Sequence, residues 1–348
     1  MYLHIDMDYF FAQIEEKRRP MASDKIIVVC VFSGRTEDSG VVSTVNYLGR
    51  SVGIKSGMPI AFAKKRAPPA DSIFIPMDRP YYNEISAQID SIIRENFEKI
   101  VQASVDEWNV DDPKSGEKAA ELKNEILRET NLTCTIGVAP SLLGAKMVAA
   151  KVKPNGLIII NEEEEKKLIE NSALEKVPGI GPKTTETLRL MGAEKVSDLP
   201  KLDRLRLVEV FGRKMGGWLS ELGSGRYPSE LGEDKDQDEI SRIGTLKEKT
   251  RDQYMIKSKL KELEKEAKSW LIERKKSYRT LAIIFITEDL KTHTKSLSFR
   301  NPKGWSEDIE KEKETLVSEF LFENQMEIRR VGIRFGNFMD LGGQTTLF

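Results

Sequence analysis

The chain has 348 residues, 39% hydrophobic and 32% charged, which suits a folded protein of two to four domains and not a disordered or fibrous one. A formal net charge of −1 argues against a uniformly basic nucleic-acid binder, and the presence of only two histidines argues against a histidine-built metal centre or hydrolase. There is no secretory leader and no apolar run of about 18 residues, so the expectation is a cytoplasmic protein without a membrane span.

The charge is unevenly spread. Residues 242–334 hold 22 Lys or Arg against 16 Asp or Glu, and the remainder holds 33 against 40. A basic C-terminal module beside an acidic remainder suggests a polyanion grip on one side. Cys30 and Cys134 lie far apart, and Cys30 sits inside the apolar run 26–32, so both read as reduced core residues.

In chain order, Tyr2 to Met7 reads as a strand, followed by a helical stretch from Phe10 to Lys17 and a buried strand from Lys25 to Phe32. Gly34, Gly40 and the run Val41–Val45 predict a loop and a strand, and Pro68-Pro69 marks a break. Helical periodicity over 79–99 leads into a strand from Ile100 to Val105. A helix over about 116–129, a strand from Leu132 to Val138, a helix over about 141–151 and a strand at Leu157–Ile160 follow. This mixed order predicts an α+β layer, a sheet with helices on one face. Residues 166–230 read as short helices with glycine-rich joints, the Glu162–Glu165 run as a solvated helix start, and 231–241 as a linker. Beyond it, a long amphipathic helix over about 251–275 carries Ile256, Leu260, Leu263, Ala267 and Leu271 as its core stripe. Strands at 279–286, 292–299 and 329–335 and a helix over about 306–322 complete the chain.

The most informative residues are two acidic stretches at strand edges, Asp6-Met7-Asp8 and Asp106-Glu107. Paired strands would bring Asp6, Asp106 and Glu107 together, and converging carboxylates need a counter-charge. Mg²⁺ fits, because hard oxygen ligands suit it and it keeps open positions for substrate phosphates. Two such ions ~3.5–4 Å apart would stabilise in-line attack on phosphorus. Asp6 and Asp8 would share a strand face, whereas Asp106 and Glu107 need a turn or bulge, which the stretch Trp108–Pro113 allows. Tyr47 and Arg50 share a helix face and could present a hydroxyl and a forked guanidinium to a triphosphate. Lys153, at a helix-ending Lys-Pro-Asn-Gly turn, could add a point charge. Val177–Lys183 contains a Gly-x-Gly between short helices, the helix–hairpin–helix pattern that grips a phosphodiester backbone without reading bases.

In this order, the segments Asp6–Phe11, Tyr47…Arg50, Gly57-Met58-Pro59, Ser104–Glu107, Lys153–Gly156 and Pro178–Gly181 resemble the Y-family translesion DNA polymerases of the archaeal DNA polymerase IV type. The resemblance covers essentially the whole chain. It implies a right-hand α+β architecture with a palm at 1–10 and 78–165, small fingers at 11–77, a helical thumb at 166–230, a linker at 231–241 and an α/β little finger at 242–341. It further implies that Asp6 and Asp106 bridge two Mg²⁺ ions (Mn²⁺ as a substitute), with Glu107 on the ion that activates the primer and the Met7 carbonyl on the nucleotide-side ion. Phe10, Phe11, Thr44, Tyr47, Arg50 and Lys153 are implied dNTP contacts, with Phe11 the steric gate against a ribose 2′-hydroxyl. Gly179, Gly181, Lys183, Arg242, Lys247, Arg329 and Arg330 are the implied contacts to primer–template DNA. Leu48-Gly49, Trp108-Asn109 and Ala139–Leu142 depart from the family's usual residues, and none of these removes a metal ligand. The tail at 342–348 is similar to sliding-clamp-binding peptides, with Gln344, Leu347 and Phe348 as its anchors.

The expected activity is templated, low-fidelity, low-processivity synthesis by a monomer without proofreading. The alternatives are a non-catalytic DNA scaffold, disfavoured by the acidic triad, and another two-metal nucleotidyl enzyme such as a cyclase, which has no use for the hairpin, basic module and tail.

Overall fold

In the computed structural model of the chain, which describes residues 1–227, 231 and 238–340, one short strand organises the N-terminal half. β1 (Tyr2–Met7) alternates, with Leu3, Ile5 and Met7 buried in the main core and His4 and Asp6 on the opposite face. There follow α1 (Phe10–Arg18), β2 (Ile26–Phe32), β3 (Gly40–Val45), α2 (Tyr47–Ser51), α3 (Ile60–Arg66), β4 (Ser72–Pro76) and α4 (Arg79–Asn96). Next are β5 (Ile100–Gln102), β6 (Glu107–Asp111), α5 (Ser115–Thr130), β7 (Cys134–Ala139), α6 (Leu142–Val152) and β8 (Leu157–Ile159).

β1 is the middle strand of a sheet ordered β5-β6-β1-β7-β8, antiparallel to both neighbours, with Asp6 opposite Glu107 on one side and Thr135 on the other. α4 and α5 cover one face, where Ile89, Ile92, Leu122 and Ile126 pack on Leu3, Ile5, Trp108 and Ile136. α6 lies on the other face, so close that a Cβ at Gly137 would stand 2.2 Å from the Ala145 carbonyl oxygen. A smaller sheet, ordered β3-β2-β4, has β2 and β4 parallel.

α7 (Glu162–Glu170), α8 (Pro182–Leu190) and α9 (Arg204–Gly223) share a separate core around Leu174, Val177, Leu188, Leu207 and Leu219. α9 is longer than the short helices expected here, with a kink at Gly212, whose φ of 79° is outside helical space. The acidic run does start a helix, capped by Asn161, but Glu165 is not solvated. It is buried and accepts the Ser141 N–H (2.8 Å) and Oγ–H (2.7 Å) at the start of α6.

The C-terminal elements are β9 (Glu239–Thr250), α10 (Gln253–Glu273), β10 (Lys276–Thr287), β11 (Thr292–Lys303), α11 (Glu310–Glu323) and β12 (Ile328–Asp340), in a sheet ordered β11-β10-β12-β9. The five core residues expected on α10 are all buried, packed with Leu316 and Phe320 of α11 against Leu281, Ile283, Val331 and Ile333. Several expectations shift. The first sheet carries helices on both faces and not on one, because Gly137 lets α6 pack opposite α4 and α5. β9 and β4 are strands where the sequence reading placed none, and β9 begins inside the stretch read as linker. The turn near the second acidic stretch precedes Glu107, at 103–106, while Glu107–Asp111 is a regular strand.

Contacts group the chain into two units, Met1–Cys30, Val42–Ser56 and Lys64–Asp234 in the first, and Val31–Val41, Gly57–Ala63 and Lys235–Phe348 in the second. Within the second unit, Arg35 donates to the carbonyls of Leu246 (2.6 Å) and Arg329 (3.2 Å). Among the described residues, no helix is long and apolar enough to cross a membrane.

Candidate active site

Strand alternation and α6 build the site on the α6 side of the first sheet. Because Asp6 and Glu107 are register partners, their carboxylates share a face, and ligand atoms of His4, Asp6 and Glu107 lie within 4.8 Å of one another. Asp106 sits in the preceding turn, where its carbonyl accepts the Met7 N–H (2.9 Å) and its carboxylate accepts the Ser104 hydroxyl (2.6 Å). Two of the three expected carboxylates therefore meet directly, and the third adjoins them, turned toward Ser104.

α6 supplies positive charge. Lys146 Nζ lies 2.7 Å from Glu107 Oε2, and Lys153 Nζ lies 2.5 Å from Asp6 Oδ1. Burial pushes Asp6 up to about 6 against the pull of Lys153, with Glu107 and Asp106 adding like charge. Burial also opposes ionisation of Glu107, but Lys146, His4 and Lys153 together bring that carboxyl below its ordinary value. His4 is buried, bonded through Nδ1 to Asn109 Oδ1 at 2.7 Å, and lowered to about 4, chiefly by burial, so it is neutral near pH 7.

Of the residues expected to contact a nucleotide, Tyr47 lies within electrostatic reach of Asp6 and Asp8. Phe10 is buried, while Phe11 is half-buried and stacked on Tyr82 with centroids 4.6 Å apart at 16°. Thr44 is half-buried on β3. Tyr47 packs edge-on against Tyr9 (5.0 Å), and the Arg50 guanidinium stands over its ring at 4.8 Å. The Tyr47 hydroxyl is buried with no hydrogen-bond partner, an orphan polar group of the kind that marks a ligand position.

Gly179 and Gly181 are exposed in the hairpin before α8 and Lys183 is exposed in its first turn, and Gly179 has a φ of 94° that favours glycine. In the C-terminal sheet the expected arginines separate. Arg330 and Arg334 alternate with the buried Val331, Ile333 and Phe335 and so face away from the helices, in register with Ile286 and Ala282. Arg242 is opposite Ile333 on the helix-covered face, 4.0 Å from Glu266 of α10. Lys247 is exposed on β9, and Arg329 is half-buried beside a register shift. Gln344, Leu347 and Phe348 lie outside the described residues.

The sequence reading assigned no role to His4, Asn109, Lys146 and Arg334, and it put Asp8 on one strand face with Asp6, whereas β1 ends at Met7 and Asp8 is buried beyond it. The signal for His4 was its place two residues before Asp6 on one strand, and for Lys146 its spacing of two helical turns from Lys153. The departures from the family pattern have local reasons. Trp108 is a core residue donating to Asp90 (3.0 Å), Asn109 holds His4, Ser141 caps α6, and a Cβ at Gly49 would meet Val45 at 2.2 Å.

Comparison with known proteins defines the class. Residues 5–150 match the impB/mucB/samB family and residues 237–347 match the C-terminal domain of that family, and the chain belongs to it. It has the fold of the Y-family DNA polymerases, reaching a TM-score of 0.91 against a chimera of the polymerases Dbh and Dpo4, at 34% identity over 97% of this chain and 99% of that one. An insertion ternary complex of Dbh DNA polymerase aligns with a TM-score of 0.69 at the same identity and coverage. Within the family, the chain is similar to the DNA polymerase IV of Methanosarcina acetivorans, 38% identical over 99% of this chain and 98% of that protein. It is 35% identical to the DNA polymerase IV of Saccharolobus solfataricus, over 99% of both chains.

Proposed function

We propose that the chain is a template-directed DNA polymerase of the lesion-bypass type, adding deoxynucleotides to a primer 3′-end and releasing pyrophosphate. The observation that carries this reading is the Asp6–Glu107 pair facing across β1 and β6, with Lys153 drawn onto Asp6. Converging hard oxygen donors fit a divalent cation, and the Lys146 and Lys153 ammonium groups on Glu107 and Asp6 mark a cluster that calls for the positive charge such an ion would bring. Mg²⁺, with Mn²⁺ as a substitute, is the proposed ion, held by Asp6, Asp106, Glu107 and the Met7 carbonyl. Bound there, two such ions would lower the pKa of the primer hydroxyl and neutralise charge developing at the α-phosphate.

The remaining roles belong to the chain's own groups. Tyr47, Arg50 and Lys153 bind the triphosphate, and the orphan Tyr47 hydroxyl supports that assignment. Thr44, half-buried on β3, and the backbone at Phe10, whose ring is taken up by the core, complete these contacts. Phe11, backed by Tyr82, stands against the sugar and excludes a 2′-hydroxyl. The Gly179–Lys183 hairpin and the open face of the C-terminal sheet, with Arg330, take the DNA backbone. Arg242, Lys247 and Arg329 flank that grip.

The palm comprises 1–10 and 78–165, the fingers 11–77, the thumb 166–230 and the little finger 242–341, and the tail at 342–348 tethers a sliding clamp. A monomer carries all of these parts. Replacing Asp106 by Asn tests the site: templated primer extension with Mg²⁺ falls by at least ~10³-fold, while the DNA dissociation constant changes little. Synthesis at the parental rate in this variant would exclude Asp106 from the chemistry.

A further inference from the structure

Asp8, the second carboxylate of the first acidic stretch, is fully buried just beyond the end of β1. Its Oδ2 accepts the Thr133 hydroxyl (2.9 Å) and the backbone N–H of Asn155 (2.8 Å), and its Oδ1 accepts the Thr135 hydroxyl (2.7 Å). Its own backbone is also fixed, with N–H donating to the Thr133 carbonyl (3.1 Å) and the carbonyl accepting Gln13 Nε2 (2.6 Å). Both carboxylate oxygens are thus committed to protein donors, so Asp8 is not available as a ligand like Asp6.

One of those donors belongs to the turn that carries Lys153. Asn155 has a φ of 54°, a left-handed conformation that needs outside support, and Gly156 leads on to β8, its N–H 3.4 Å from Thr135 Oγ1 and its carbonyl accepting the Ile136 N–H (3.0 Å). Lysine has a long flexible stem, so where its ammonium reaches depends on how firmly its backbone is held. Asp8 ties that turn to the strand that presents Asp6, two residues away.

We propose that Asp8 is a positioning residue for nucleotide binding, which fixes the Lys153–Gly156 turn so that the Lys153 ammonium stays at the triphosphate position beside Asp6. This rests on the reading of Lys153 as a triphosphate contact. An interaction with the triphosphate in both ground and transition states appears in KM and not in kcat.

The test is single-nucleotide insertion by the full chain on a primer–template, with KM for dNTP, kcat and the Mg²⁺ concentration for half-maximal rate measured for Asp8→Asn, Lys153→Ala and the double variant. Asp8→Asn is expected to raise KM roughly tenfold, with kcat within about threefold and the Mg²⁺ requirement unchanged. The double variant is expected to be no worse than Lys153→Ala, because coupled residues are non-additive. Fully additive effects, or a shifted Mg²⁺ requirement in Asp8→Asn, overturn the proposal while leaving the triphosphate reading intact. An unchanged KM in Lys153→Ala overturns that reading and the proposal with it. Should Asp8→Asn fail to fold, Thr133→Val, which removes one donor to the same oxygen, replaces it in the cycle.

Discussion

Asp6 and Asp8 stand two residues apart and end in different chemical situations. Asp6 keeps an open oxygen among charges, raised by burial and steadied by Lys153, while Asp8 is closed off by two hydroxyls and an amide. The proposed sugar discrimination belongs to the same scale. Phe11 lies flat on Tyr82, so replacing it by Ala removes a ring and not the surface behind it. Phe11→Ala is expected to cut the preference for dNTP over rNTP by ~10-fold or more, with dNTP insertion retained. A selectivity ratio unmoved in competition assays would remove Phe11 from that role. That Asp6, Glu107 and Lys153 would be neighbours was legible because strand pairing and a helix-ending turn are local patterns that carry them to one place. The different fate of Asp8 was not legible, since its partners Thr133, Thr135 and Asn155 come from more than a hundred residues away.

Among the elements, α6 works as a ruler. Its close approach at Gly137 sets its height above the sheet, and two turns of helix then separate the lysine on Glu107 from the lysine on Asp6. Its N-terminus rests on the buried Glu165 carboxyl, which burial raises above 4.5 despite the two Ser141 donors. A carboxyl raised in the folded state stabilises the fold most when protonated, and that contribution fades as pH rises through the raised value. Glu165→Gln retains an acceptor for Ser141 and cannot ionise. Its thermal unfolding midpoint is therefore expected to match the parent's near pH 4 and exceed it at pH 7, and parallel profiles for the two proteins would refute this account. Long periodic elements such as α4, α5 and α10 could be read from the chain, because one face of each meets a core. β9 could not, because its buried Ile240 and Leu246 are spread among charged residues, and β4 was hidden between prolines.

At the level of the whole molecule, the basic excess of residues 242–334 resolves into a geometry. Arg330 projects from the sheet face that the helices leave open, as does Arg334, which pairs with Glu239 at 3.3 Å, whereas Arg242 lies near Glu266 on the covered face. Arg330→Ala is expected to lower the slope of log affinity against log salt by about one, with little dependence on DNA sequence, whereas Arg242→Ala should change it less. Equal slopes for Arg330→Ala and the parent, in fluorescence anisotropy titrations, would take Arg330 off the DNA. Deleting 342–348 is expected to abolish stimulation by a sliding clamp and spare unassisted extension, through loss of effective concentration, and stimulation that survives the deletion would refute the tether. Every group proposed for the reaction, from Asp6 to Lys153, falls within the first unit, and none belongs to the four-stranded sheet. A substitution confined to the four-stranded sheet therefore leaves the Asp6–Glu107 pair and the turn that carries Lys153 as they are, so selection can act on the two sets of residues separately.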